Sequence, residues 1–68
     1  MLTWHSVPGT EIRVGDYMII DGAIKPPLAV NAVFPGQHPL GARYADVDLE
    51  NGKSHRCWEG FLYRVGRS

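Results

Sequence analysis

Three histidines and one cysteine are the residues of this 68-residue chain best suited to ligating a metal or attacking a substrate. His55 and Cys57 stand at i and i+2, so on an extended strand both point to one face. A tetrahedral zinc site needs four ligands at set distances, and the remaining two would be His5 and His38, scattered along the chain. No C-x-x-C or H-x-x-x-H spacing occurs, so no metal site is expected and Cys57 reads as a small buried hydrophobe. As a nucleophile and base the same pair is poor. The two side chains would stand about 7 Å apart along a strand, and a reactive thiol needs a lowered pKa and an orienting third group. There is no P-loop, no G-x-G-x-x-G and no paired-carboxylate motif. The expectation is a protein that is not an enzyme and carries no cofactor.

Recognition is the other chemistry the residue types allow, and the stretch Tyr44 to Trp58 carries it. Leu49-Glu50-Asn51-Gly52-Lys53 is a hairpin signal, because Asn and Gly tolerate the positive φ of tight turns. Its register decides which side chains are neighbours. A two-residue Asn51-Gly52 loop pairs Glu50 with Lys53, Asp48 with His55 and Val47 with Arg56, which puts a guanidinium among apolar side chains unless it snorkels out. A three-residue loop with Gly52 as a left-handed bulge pairs Leu49 with Lys53, Val47 with His55 and Ala45 with Cys57. Ala45, Val47, Leu49 and Cys57 then line one face, while Asp46 meets Arg56 and Tyr44 meets Trp58 on the other. The second register is preferred, since it segregates apolar from polar. It gathers Tyr44, Asp46, Arg56 and Trp58 on a surface away from the core, and aromatic residues and arginine are the types enriched at binding hot spots. The competing reading has Trp58 closing one end of the core.

The elements that position these residues are strands. Eight glycines and five prolines interrupt the chain too often for long helices, and no stretch repeats apolar residues at helical spacing over three turns. Strands are expected at Leu2 to Ser6, Tyr17 to Asp21, Leu28 to Phe34, Arg43 to Glu50, Lys53 to Trp58 and Phe61 to Val65, each bounded by turn-forming pairs such as Pro8-Gly9 and Asp21-Gly22. In the Val14-Gly15-Asp16 turn, Gly15 supplies a backbone conformation that a Cβ would strain and Asp16 bonds the turn amides, with Met18 and Ile20 facing the core. The longest loop, PGQHPLGA from Pro35 to Ala42, has two prolines and two glycines that argue against a regular strand. It places His38 and Leu40 at the rim of the hairpin surface.

A Gly-Asp turn into an apolar strand, a glycine turn, a second apolar strand, a loop, an acidic strand, a tight hairpin and a short closing strand together resemble an SH3-like barrel. The resemblance is one of architecture and spans most of the chain. It implies an all-β, small antiparallel barrel of five to six short strands, with residues 1–68 forming a single domain.

Length and charge bound the function. A chain this short buries only roughly 60% of its unfolded surface, so it gains from burying more against a partner or a second copy. A hydrophobic share of 44% argues against disorder. No apolar run approaches the roughly 20 residues of a membrane span, no signal peptide is seen, and a lone cysteine suits a reducing compartment. A cytoplasmic protein is expected, and the initial Met1 suggests a complete small reading frame. Seven basic and seven acidic residues cancel, removing the field that favours non-specific nucleic-acid binding. The expected function is therefore protein interaction, including self-association, through Tyr44, Arg56 and Trp58 with Asp46, His38 and Leu40, or through an exposed strand edge. The alternative is nucleic-acid binding, with bases stacked on Tyr44 and Trp58 beside Arg43, Arg56, Arg64 and Arg67. Against it stand Asp46, Asp48 and Glu50 on the strand that carries Tyr44.

Overall fold

The computed structural model describes residues 1–19 and 26–68. Six strands form one antiparallel sheet: β1 (Thr3–Pro8), β2 (Tyr17–Met18), β3 (Leu28–Gln37), β4 (Arg43–Leu49), β5 (Ser54–Trp58) and β6 (Leu62–Arg67). They lie in the order β1-β6-β2-β3-β4-β5, so the hydrogen-bonded ladder is open, with β1 and β5 at its edges. The all-β reading holds, whereas a closed barrel is not formed by this ladder. Among the described residues the one helical element is a 3-10 turn at Gly9–Glu11, and no helix is long and apolar enough to cross a membrane.

That 3-10 turn is absent from the sequence reading, and it changes how the sheet ends. It carries the chain from β1 across to β5, where Gly9 lies so close that a Cβ would collide with the backbone of Cys57 and Trp58. Only glycine permits this approach. The two sheet edges are thereby drawn toward each other at one end.

The core sits on one face of the sheet. Ile12, Met18, Val30, Val47, Leu49, Cys57 and Val65 are buried together, with Val7, Leu28, Val33 and Tyr63 packed against them. Burying each such aliphatic side chain stabilises by roughly 1.5–3 kcal/mol. Met18 faces the core, while Ile20 and Asp21, and with them the far end of the expected second strand, lie outside the described residues. Gly15 adopts φ +93°, and the Arg13 N–H donates to Asp16 Oδ2 at 2.9 Å, which closes the turn before β2.

β3 is the strand that departs furthest from expectation. It runs on through Pro35, Gly36 and Gln37, residues assigned from sequence to the loop. The hydrogen-bond alternation explains why a proline is tolerated. Leu49 N–H bonds Lys53 C=O and Glu59 N–H bonds Arg43 C=O, so odd-numbered residues of β4 point their backbone groups at β5 and even-numbered ones at β3. Pro35 pairs with Ala45, an odd position, so its missing N–H would point away from β4 and no ladder bond is lost. Within β3 the pairing shifts between Val30 and Ala32, leaving Asn31 as a bulge. Val30 pairs with buried Leu49, but Ala32, Phe34 and Gly36 pair with Asp48, Asp46 and Tyr44 on the outer side.

Candidate binding face on strands 3 to 5

The β4–β5 hairpin pairs Tyr44 with Trp58, Ala45 with Cys57, Asp46 with Arg56 and Val47 with His55. Gly52 adopts φ +84°, and its N–H bonds Leu49 C=O at 2.9 Å, while Lys53 N–H bonds the Asn51 side chain at 3.0 Å. This is the three-residue loop with a left-handed glycine. A side chain at Gly52 would be strained, and the strain would act on the register itself. Ala45, Val47, Leu49 and Cys57 are all buried as a consequence.

On the outer face the side chains interlock. Arg56 donates from Nε and Nη2 to both carboxylate oxygens of Asp46, at 2.8 and 3.1 Å. Its guanidinium lies 3.9 Å from the centroid of the Tyr44 ring, within cation–π range. Tyr44 and Trp58 meet edge to face at 5.3 Å, and His38 stands 6.2 Å from Trp58. The hydrogen bonds from Arg56 hold the Asp46 carboxyl below the usual carboxylate range, and the same contact raises Arg56. Next along the face, Ser54 Oγ donates to Asp48 Oδ1 at 2.6 Å.

Tyr44 keeps its place because of Gly36. The ring lies across this glycine of the neighbouring strand, where a Cβ would stand 2.5 Å from Tyr44 Cζ. Trp4 of β1 does the same over Gly66 of β6, at 3.3 Å. In both halves of the sheet an aromatic side chain covers the backbone that a glycine leaves bare.

The structure brings together five of the six residues singled out from sequence: Tyr44, Asp46, Arg56, Trp58 and His38. His38 sits in the β3–β4 loop, where its Nδ1 accepts the Leu40 N–H at 3.1 Å and its N–H bonds Ala42 C=O at 2.7 Å. Leu40 itself projects outward and is 91% exposed. Trp58 is half-buried, so its side chain serves the fold as well as the surface, and its backbone N–H donates to the Tyr63 hydroxyl at 3.0 Å. Phe34 completes the face and was not anticipated. It lies opposite Asp46, 56% exposed. Unbroken alternation from Val30 would have sent Phe34 inward, and only the bulge at Asn31 turns it out.

Among the described residues no three of His, Cys, Asp and Glu are grouped as a metal site. Cys57 is buried, and that burial pushes its thiol pKa up, the opposite of what a nucleophile needs. No family model, curated protein or solved structure matches the chain.

Proposed function

We infer that this protein is a non-catalytic interaction module that binds a protein partner through the outer face of β3, β4 and β5. The observation that carries the reading is the pairing of Arg56 with Asp46 beside exposed Phe34. The Arg56 charge is matched within the chain by Asp46, and beside Asp48 what remains outward is aromatic. Phe34, Tyr44 and Trp58 offer apolar area with few rotamers to freeze, and Arg56, stacked on Tyr44, is held ready rather than mobile. His38 and Leu40 stand at the rim. The architecture closest to this arrangement is an SH3-like barrel, a reading supported by the strand order and by the turn at Gly9 that draws β1 toward β5.

The same pairing counts against nucleic acid. Of the four arginines that would track a phosphate backbone, Arg56 is bonded to Asp46 and Arg67 to Asp16. Arg64 lies on β6, in the other half of the sheet, and Asp48 shares the face with Tyr44 and Trp58. Counterion release needs cations free to meet phosphate.

The test compares the wild-type protein with Phe34→Ser as bait for crosslinking in cells, beside a titration with single- and double-stranded oligonucleotides at two salt concentrations. Phe34 is exposed, so the variant is expected to keep its circular dichroism. A protein crosslinked by the wild type and lost with Phe34→Ser is the expected outcome. Oligonucleotide binding that weakens steeply with salt, or a crosslinking pattern that Phe34→Ser leaves unchanged, overturns the assignment.

A further inference from the structure

The backbone edges of this sheet are guarded unequally. At β5, Gly9 packs against Cys57 and Trp58, and the Trp58 N–H is taken by the Tyr63 hydroxyl. Beyond Val30, whose backbone groups bond Gly15 and Asp16, β3 pairs only with β4 among the described residues, and its open side carries Pro35, which offers no donor. Proline and a covering segment are devices by which proteins blunt an edge. β1 has neither along Thr3 to Val7. It pairs with β6 in unbroken register from Thr3 to Pro8, contains no bulge, and carries no Lys, Arg, Asp or Glu. Among the described residues no strand lies on its other side.

We propose that the β1 edge, Thr3 to Val7, pairs antiparallel with the same edge of a second copy, joining two sheets across a two-fold axis. A chain of 68 residues gains from burying surface against a second copy, and charge and parity both admit a copy of this chain as the occupant. Residues opposite each other in an antiparallel pair share a face, so a symmetric pairing must match positions whose numbers sum to an even value. With His5 on the axis, Trp4 stands beside Ser6 of the second copy on the outer face, and Thr3 beside Val7 on the other. No fixed charge meets a like charge in this register. Thr, Trp and Val are residues that favour strands. The added ladder satisfies edge groups that β6 does not reach. A single strand pair is a small interface, so the dimer is weak and concentration-dependent. It lies at the opposite end of the strand order from β5 and is independent of the aromatic face.

Sedimentation velocity over a wide concentration range tests the proposal with the full chain. The wild type is expected to shift from monomer to dimer as concentration rises. His5 is exposed, so His5→Lys is expected to keep the circular dichroism of the wild type yet remain monomeric, because two ammonium groups would meet at the axis. His5→Thr, a neutral strand former, should dimerise as the wild type does. Phe34→Ser should also dimerise, which separates this edge from the aromatic face. A wild type that stays monomeric throughout, a His5→Lys variant that dimerises equally well, or loss of the dimer in Phe34→Ser overturns the assignment.

Discussion

Arg67 donates from Nε and Nη2 to the two carboxylate oxygens of Asp16, at 2.9 and 3.1 Å, across 51 residues of sequence. Asp16 is 4% exposed, and a further bond runs from Arg67 Nη2 to Glu11 C=O at 3.0 Å. The turn before β2 is therefore clamped to the end of β6. The Asp16 carboxylate also accepts the Arg13 N–H, so three donors converge on it and its burial is compensated.

Removing one partner of this pair leaves the other uncompensated. For a fully buried pair the loss is about 3–5 kcal/mol, and because the Arg67 side chain keeps 24% exposure the expected loss for Asp16→Ala is about 2–3 kcal/mol. Urea unfolding measures it. A double-mutant cycle with Arg67→Met should show the two losses to be non-additive. A change in Asp16→Ala within about 0.5 kcal/mol, the range of an ordinary surface substitution, would show the clamp to be incidental.

Two glycines with similar close contacts should respond differently to alanine. At Gly9 the added Cβ meets backbone atoms of Cys57 and Trp58, which cannot move without moving β5. The expected loss is about 2 kcal/mol or more. At Gly36 it meets the far end of the Tyr44 side chain, which can swing outward. Gly36→Ala should lose less than about 1 kcal/mol yet change the near-ultraviolet circular dichroism, because Tyr44 leaves Arg56 and Trp58. Equal losses at the two sites would contradict this account of what holds Tyr44.

Cys57 should be unreactive while the protein is folded. Burial pushes its thiol up, and the Asp46 charge adds to the shift. The folded state thus holds the thiol proton to higher pH than the unfolded chain. This contributes nothing to pH dependence below the ordinary thiol value of about 8.5, and stability falls as pH rises above it. A thiol reagent should label the native protein slowly and the urea-unfolded protein fast. Cys57→Ala should flatten the alkaline decline. Rapid native labelling would place the thiol at the surface.

The strands, their order along the chain and the hairpin register were legible in the sequence because their causes are local. Asn51-Gly52 selects a turn through the φ it tolerates, and the alternation from Ala45 to Leu49 selects a face through the pleat. Four of the six residues proposed for the binding face, Tyr44, Asp46, Arg56 and Trp58, followed from that one register. Where the reading stopped short, the cause lies in contacts between distant segments. The strand continued through Pro35 because of the direction in which its partner's backbone points, and Phe34 turned outward because of one extra residue at Asn31.

By itself, then, the sequence determined an all-β chain with a hairpin that sets Tyr44 against Trp58 and Asp46 against Arg56. The tertiary structure alone decided that Arg67 closes on Asp16, that Gly9 seats against Cys57, and that β1 is the edge left unguarded. Turn chemistry and side-chain alternation act over a few residues and leave a pattern in them. Which edge is covered depends on where a segment many residues away comes to rest, and no local spacing records that.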